Sequence, residues 1–160
     1  VRVQFTDKVH FTHYELFVQM NYYDVYNSGH KELMSVSKRY TRTSLIDDEG
    51  SSGTLVVTIG GDNFLAAVSH GIVDSPEVDY RELKDIDLIL YTGSPEYYEY
   101  QELSPQNTDL AGSPITNIVN GMGVFALKYH DIRTGFRLMG ETKDSLANGR
   151  FTKHLRFTGW

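Results

Sequence analysis

The stretch from Ile86 to Tyr129, IDLILYTGSPEYYEYQELSPQNTDLAGSPITNIVNGMGVFALKY, decides the fold of this chain. It opens with an apolar strand pattern, and the Ser-Pro-Glu sequence at 94–96 then predicts the start of a helix. Serine is a favoured N-cap, proline suits the first helical position, and an acid in the first turn faces the positive end of the helix. Because Pro105 disfavours helical geometry at the residue before it, we predict a short Tyr-rich helix from about Pro95 to Leu103.

The second half of this stretch predicts a returning strand. Residues Ile115 to Tyr129 form a second apolar segment, and they follow a loop that contains proline and glycine. Asn120-Gly121 within the segment is a hairpin or bulge signal, and Gly123 lies close behind it. The whole stretch therefore predicts a strand–helix–strand unit, and it contains no catalytic motif.

Alternation of apolar and polar residues predicts strands in the rest of the chain. The longest alternating run extends from Val9 to Asp24, and a run of that length is hard to reconcile with the 3.6-residue period of a helix. Five apolar side chains of this run share one face: Tyr14, Leu16, Val18, Met20 and Tyr22. The other segments predicted as strands are Val1 to Phe5, Thr54 to Ile59 and Arg150 to Trp160, and a turn is predicted at Asn27-Ser28-Gly29.

In two segments the sequence pattern does not decide between strand and helix. Leu33 to Thr43 favours a strand, with a helical turn around His30 to Met34 as the alternative, and Phe64 to His70 fits either a strand or a short helix. The pattern as a whole predicts one mainly β domain over residues 1–160. We expect an antiparallel β-sandwich or barrel-like sheet with the one short helix packed on it.

Composition and charge exclude several classes of function. The 160 residues include 11 Tyr and 8 Phe, carry a net charge of -6 and contain no cysteine. An acidic chain lacks the basic patch that binding to nucleic-acid phosphates requires. Without cysteine there is no disulfide, thiolate metal site or cysteine nucleophile. No apolar run approaches the length of a transmembrane helix.

Acidic side chains provide one weak candidate metal site. Asp47, Asp48 and Glu49 lie in a polar loop, and together with Asp62 they offer the oxygen ligands that Ca²⁺ prefers. Their spacing departs from the D-x-D-x-D-G pattern of a calcium loop, so a solvated loop is the alternative. No other cofactor is predicted.

The acid-rich run from Asp74 to Asp87 is the one segment in which a catalytic pair of carboxylates is conceivable. Such runs are usually solvated faces, so we predict no catalytic residues and no enzymatic activity. A hydrolase with an acidic pair in this run is the weakest of the alternatives.

Four tyrosines are the candidate contact residues for a ligand or partner: Tyr22, Tyr23, Tyr26 and Tyr98. Exposed tyrosine rings form sugar-stacking platforms or anchor protein interfaces. Tyrosines at alternating or helical spacing also occur in cores, with the hydroxyl at the edge. A carbohydrate-binding module that uses exposed tyrosines is therefore one alternative function.

Four segments occur in an order that resembles a known family. They are the Asn21-Tyr22-Tyr23 end of a long strand, the LIDDE…G loop before a TLVVTI strand, the LILYTGSPEYYEYQEL unit and the SPITNIVNGMGVFAL segment. Over about Tyr14 to Leu127 they resemble the C-terminal portion of a family of Bacteroidota outer-membrane lipoproteins, a domain of unknown function usually encoded beside a TonB-dependent receptor. In that family a strand ends in serine before a Tyr-rich helix, and a segment reading roughly P…SNI-x-N/G-G-x-G-x-F returns as a strand.

The resemblance implies a non-enzymatic accessory protein on the cell surface. Its expected partner is a TonB-dependent receptor or a SusC/SusD-type complex that takes up a nutrient across the outer membrane. The chain departs from the family in lacking the lipidated cysteine and the N-terminal β-sandwich region. We therefore expect it to be the C-terminal part of a longer lipoprotein whose anchor lies upstream. The family has no established catalytic residues, so none is carried over.

Overall fold

The computed structural model describes residues 2–6, 13–41, 45–47, 54–97, 117–119 and 124–158. Within these residues the chain is mainly β. The elements are β1 (Arg2–Thr6), β2 (His13–Tyr26), β3 (Lys31–Thr41), β4 (Leu45–Asp47), β5 (Thr54–Thr58), α1 (Gly61–Gly71), β6 (Val78–Gly93), β7 (Lys128–Phe136), α2 (Gly140–Asn148), a 3₁₀ turn (Lys153–Leu155) and β8 (Phe157–Thr158).

Strand β6 is the centre of a curled, five-stranded mixed sheet. β2 lies antiparallel along one edge of β6, and β3 pairs antiparallel with the far edge of β2. Two strands share the other edge of β6: β7 pairs antiparallel between Ile86 and Gly93, and β8 pairs parallel at Arg81 and Glu82. β6 therefore joins the N-terminal hairpin to the C-terminal part of the chain.

The β2–β3 hairpin closes through a turn at Asn27-Ser28-Gly29. The amide of Gly29 donates a hydrogen bond to the carbonyl oxygen of Tyr26 over 2.8 Å. Gly29 has a φ of +82°, a conformation that costs glycine little because it has no Cβ. The turn thus fixes the register in which the two long strands pair.

Alternation along β2 decides which face of the five-stranded sheet is buried; we call this the core face, and the opposite side the outer face. The five side chains predicted to share one face of β2 are each at most 5% exposed, and Leu16, Val18, Met20 and Tyr22 belong to one core cluster. Phe64, Leu65 and Val68 of α1 join this cluster, as do Leu146 of α2 and Leu155 of the 3₁₀ turn. Because burying each large apolar side chain stabilises the fold by roughly 1.5–3 kcal/mol, this cluster is the main source of stability.

A buried arginine ties the C-terminal residues to the end of the sheet. Arg81 of β6 is fully buried, and its Nε lies 2.7 Å from Oδ1 of Asp24, which is also buried. Its two terminal nitrogens donate to the backbone carbonyls of Leu155 at 3.0 Å and Val73 at 2.8 Å. Such a charge is tolerable inside a protein only when it is paired and hydrogen-bonded, as this one is.

The remaining strands form a small antiparallel sheet in the order β1-β5-β4. The chain leaves β5 through Ile59, which is 2% exposed and belongs to the core cluster. Gly60 then precedes the first residue of α1. In this way the small sheet leads directly into the helix that packs on the core.

The prediction of a mainly β fold is confirmed, and so are most of the predicted strands. The segments predicted at Val1 to Phe5 and Thr54 to Ile59 correspond to β1 and β5, and the longest alternating run corresponds to β2. Both open alternatives are decided: β3 is a strand from Lys31 onward, and the segment from Phe64 to His70 is helical.

The prediction of a single final strand from Arg150 to Trp160 is wrong. Its described residues form turns, the 3₁₀ turn and a strand of two residues, and the preceding helix α2 was not predicted. Helix α2 was missed because Leu146 is its one buried residue, so the sequence of α2 shows almost no apolar period of the helical kind.

The returning strand lies further along the chain than predicted. Of the segment Ile115 to Tyr129, residues 117–119 and 124–127 are described and are not in a strand, while β7 begins at Lys128. The glycine signals at 120–123 lie outside the described residues. All nine residues of β7 are exposed, so its position is set by its ladder with β6 rather than by an apolar pattern.

The predicted helix start at Ser94 is present. Residues 95–97 are helical, and the amide of Tyr97 donates to the carbonyl oxygen of Ser94 over 3.0 Å. A side-chain hydrogen bond from Ser94 lowers the pKa of the Glu96 carboxyl. The rest of the predicted helix, residues 98–103, lies outside the described residues.

Candidate interaction surface

An aromatic cluster lies on the outer face, where β2, β6 and β7 run side by side. The rings of Phe17 and Tyr91 meet edge to face with centroids 5.4 Å apart, and the ring of His130 lies 5.8 Å from Tyr91. The ammonium of Lys128 lies 4.3 Å from the centre of the Tyr91 ring and 5.2 Å from that of Tyr97. Contacts of this kind hold both aromatic rings and a cation in fixed positions at a surface.

The strand registers explain why these residues meet. Tyr91 is the direct partner of His130 in β7, and the neighbouring residue pair on the same face is Ile89 with Ile132. Ile89 is in turn the partner of Phe17 in β2. Because paired residues of antiparallel strands share a face, three strands contribute to one patch.

A polar network continues the outer face toward the other end of β6. The side-chain amide nitrogen of Asn21 donates to Oδ1 of Asp85 and to Oδ2 of Asp87, each over 2.7 Å. Gln19 donates to Asn21 over 2.9 Å, and the backbone amide of Gly135 donates to Asp87 over 3.1 Å. These bonds fix the carboxylates in place on the sheet.

The fold brings two carboxylates of the acid-rich run, those of Asp85 and Asp87, close together beside Asn21. Their oxygens lie no further apart than twice the 2.7 Å that joins each to the same nitrogen of Asn21. Retaining glycosidases hold their two carboxylates roughly 5–5.5 Å apart, so distance alone leaves the hydrolase alternative standing. Both groups are however engaged by Asn21, which gives them a structural role in the sheet.

Large apolar side chains are exposed on the segment that leads into β7 and along β7 itself. Phe125 keeps 74% of its surface exposed and Leu127 keeps 50%. Within β7, Tyr129, Ile132 and Phe136 each keep about half of theirs, at 55%, 48% and 46%. A concentration of exposed apolar side chains of this kind is typical of interaction surfaces, which makes it a candidate.

The side chain of Asn117 is hydrogen-bonded to the backbone of Phe125, shortly before β7 begins. Its side-chain nitrogen donates to the carbonyl oxygen of Phe125 over 2.6 Å, and its side-chain oxygen accepts from the amide of Phe125 over 2.7 Å. This pair of bonds imitates the pairing of two strands and fixes the side chain of Asn117 against the backbone of Phe125. Val119, two residues after Asn117, is 88% exposed. We call the described residues 117–119, 124 and 125 the Asn117 loop.

The structure places the four predicted contact tyrosines in different environments. Tyr22 is a core residue, 3% exposed, and its ring packs edge-on against Phe157. Burial raises the pKa of its hydroxyl, and the ring has no face left for a ligand. Tyr23 is half-buried, with Leu33 and Glu82 as its cross-strand partners, and Tyr98 lies outside the described residues.

Tyr26 lies at the tip of the β2–β3 hairpin and is partly exposed. Its ring stacks on His30 with centroids 5.8 Å apart and an interplanar angle of 27°. Its hydroxyl donates to Glu32 over 2.9 Å, a bond that raises the pKa of Tyr26. Of the three tyrosines that the structure describes, Tyr26 has the surroundings most suited to contact with a ligand.

Two of the four acidic residues predicted as a weak calcium site, Asp47 and Asp62, lie within the described residues. Asp62 is an exposed residue of the first turn of α1, and Arg150 donates to its Oδ2 over 2.9 Å. Asp47 is the last residue of β4, while Asp48 and Glu49 lie outside the described residues. Among the residues that are described, no three His, Asp or Glu side chains are placed to hold a metal ion.

Sequence reasoning missed the aromatic cluster and the Asn117 loop. The alternation of β2 did place Phe17 on the face opposite the core. The residues that Phe17 meets there depend on the register between β6 and β7, which no sequence motif predicts. Asn117 carries no local signal either, because its bonds go to a backbone eight residues away. Neither feature rests on a recognisable motif.

Comparisons with known proteins identify no relative. No protein-family model matches the chain, no curated protein matches it, and no solved structure matches its fold. Across the described part of the chain, no helix has the length and apolar character needed to cross a membrane.

Proposed function

We propose that this chain is the C-terminal, non-enzymatic part of an accessory lipoprotein on the outer-membrane surface of a Bacteroidota bacterium. In this proposal a lipidated cysteine upstream of the chain anchors it. The domain then docks to a TonB-dependent receptor or a SusC/SusD-type complex and assists nutrient uptake. The proposal rests on the sequence resemblance from about Tyr14 to Leu127 together with one surface of the molecule.

The observation that carries the proposal is the Asn117 loop. Val119 and Phe125 are 88% and 74% exposed, and two hydrogen bonds fix the backbone of Phe125 against Asn117, two residues before Val119. Backbone that is already fixed needs less ordering on binding, so less of the binding free energy is lost to conformational entropy. Exposed apolar side chains on such a loop are typical of a surface that a protein partner covers.

Purification from native membranes in mild detergent tests the proposal. We expect the wild-type lipoprotein to co-purify with a TonB-dependent receptor in a fixed ratio, and the V119S/F125S variant to lose it. Val73 is 82% exposed on the segment between α1 and β6, so V73S is a matched control that should retain the receptor. Recovery of the wild-type protein alone would contradict the proposal, and loss of the receptor from V73S as well would remove the Asn117 loop from it.

A second candidate function is carbohydrate binding at the hairpin tip. It is favoured by the stacked rings of Tyr26 and His30 beside the carboxylate of Glu32, because sugars bind to aromatic faces with polar groups at their edge. Isothermal titration calorimetry with oligosaccharides tests this second function. Binding should be lost in Y26A and largely kept in Y26F, which retains the ring; equal binding by wild type and Y26A would exclude this site.

A further inference from the structure

Strand β7 forms an edge of the five-stranded sheet. Among the strands that the structure describes, β7 pairs with β6 and with no other. All nine of its residues are exposed. The N–H and C=O groups on the open edge of a strand are a template for pairing with another strand, so the question is which strand fits this edge.

The side chains of β7 are complementary to those of a second β7. Two identical antiparallel strands related by a twofold axis are centred on one residue, which then faces itself. Centring the pair on Asp131 or on Arg133 sets like charges opposite each other, which is unfavourable. Centring it on His130 leaves Asp131 opposite Tyr129 and forms no ion pair. Centring it on Ile132 sets Asp131 of each copy opposite Arg133 of the other.

We propose that β7 pairs antiparallel with β7 of a second copy of this chain, centred on Ile132. The two isoleucines then meet at the twofold axis, and each is 48% exposed in the single chain, so apolar surface is removed from water there. On the opposite face of the strand two Asp131–Arg133 pairs form between the copies. The two five-stranded sheets become one continuous sheet.

The charges needed for this contact are already arranged in the single chain. Nε of Arg133 lies 3.0 Å from Oδ2 of Asp131, and the side chains are 72% and 58% exposed. An exposed pair of this kind contributes little to the stability of the chain that carries it. A second copy adds two cross-strand pairs to the two existing ones and makes a network of four charges, where such interactions contribute more.

A bulge limits the length of the contact. The register of β7 on β6 shifts between Ile86 and Leu88, where Gly135 has a φ of +79° and Asp87 accepts the bond from its amide. Bulges twist a strand and interrupt regular pairing. The regular part of the edge therefore ends near Arg133, and the dimer is expected to be weak and concentration-dependent.

Two single charge reversals and their mixture test the proposed register by sedimentation equilibrium up to millimolar concentration. D131R carries two arginines on β7 and R133D carries two aspartates, so each is expected to self-associate at least roughly tenfold more weakly than the wild type. Mixed in equal amounts, the two variants place arginine opposite aspartate at every position and should form a 1:1 dimer about as strong as the wild type. Neither variant regains the ion pair within its own strand, so recovery in the mixture can come only from contacts between the copies.

The control for these variants is another exposed ion pair. D62R and R150D reverse the charges of a pair remote from β7 in sequence, and both should dimerise like the wild type. I132K, which sets two lysines at the axis, should be monomeric. A wild-type protein that stays monomeric at millimolar concentration, or a dimer that D131R and R133D leave unchanged, would overturn the proposal. This inference is independent of the proposed function, because it depends on β7 and not on the Asn117 loop.

Discussion

Gly149 lies so close to Ser145 that a Cβ atom at position 149 would stand 2.2 Å from the carbonyl oxygen of Ser145. The same oxygen accepts hydrogen bonds from the amide of Gly149 at 2.9 Å and from the hydroxyl of Thr152 at 3.2 Å. Glycine is therefore required at the end of α2 because of space, although its φ of -69° is open to any residue.

Replacement of Gly149 by alanine should consequently destabilise the protein. The atom that obstructs the new methyl group belongs to the backbone, so the turn between α2 and the 3₁₀ helix must shift, at a cost of roughly 1–3 kcal/mol. Urea unfolding measures the difference. G140A is the matched control, since a Cβ at Gly140 meets nothing within 4 Å and alanine is the better helix former. Equal stabilities for G149A and wild type would show that the turn is not as tight as described.

Loss of the Arg81 guanidinium should destabilise the fold far more than loss of an exposed one. R81M leaves the buried carboxylate of Asp24 and two backbone carbonyls without their donor, and breaking a buried pair in this way typically costs on the order of 3–5 kcal/mol. R150M breaks an ion pair whose side chains are both about three-quarters exposed, and it should change stability by less than about 1 kcal/mol. The free energies of unfolding in urea compare the two. A similar small loss in both variants would mean that Arg81 is hydrated in solution.

Removal of one buried hydroxyl is expected to leave the protein at least as stable. Tyr40 of β3 is 7% exposed, and its hydroxyl has no hydrogen-bond partner among the described residues. A buried polar group without a partner costs roughly 1–3 kcal/mol, so Y40F should be neutral or up to about 1 kcal/mol more stable than wild type. Y40A, which removes the ring from the core, should instead lose about 3–5 kcal/mol. Thermal unfolding of both variants distinguishes these effects, and a clear loss in Y40F would reveal a partner for the hydroxyl.

The protein should lose stability in alkali as its buried tyrosines ionise. Burial raises the pKa of both Tyr22 and Tyr40 in the folded protein, whereas an unfolded tyrosine titrates near 10. Because the pKa is higher in the folded protein than in the unfolded chain, the contribution of the neutral tyrosines to stability is complete below about pH 10. It is lost as the pH rises through the pKa of the folded protein. The free energy of unfolding, measured from neutral to alkaline pH, gives the loss of stability. The absorbance of tyrosinate over the same range follows the ionisation of the tyrosines.

Lys31 acts in the same alkaline range, because its hydrogen bond to Glu82 raises the pKa of its ammonium. The double variant Y22F/Y40F therefore separates the two sources. The free energy of unfolding of this variant should fall less steeply with rising pH than that of the wild type. The fall that remains includes the effect of the loss of charge on Lys31. Identical pH profiles for both proteins would assign the alkaline loss to groups other than these tyrosines.

The part of the fold that could be predicted from the sequence is the part in which one face of a strand is buried. Alternation from Tyr14 to Tyr22 predicted both β2 and its buried face, and the same parity already placed Tyr22 inward, against its selection as a contact residue. α2 and β7 bury almost nothing along their length, so neither leaves an apolar period in the sequence. Their positions depend on partners that lie far away in the chain.

The candidate surfaces were unpredictable for a related reason. Tyr91 and His130 meet because β6 and β7 pair in one particular register, and no short motif specifies a register between strands so far apart. Likewise, Asn117 reads as an ordinary loop residue until its two bonds to Phe125 are seen. Sequence patterns predict burial on a single element, whereas these sites arise between elements.

The position of Arg81 has a consequence for the order of events during synthesis. The carbonyl group of Leu155 that receives its guanidinium lies 74 residues further along the chain, and the backbone of Arg156 accepts from its amide. A ribosome therefore exposes Arg81 long before it delivers the groups that enclose it. Until those residues emerge, the nascent chain cannot close this end of its core, and the apolar faces of β2 and β6 stay open to contact with other chains.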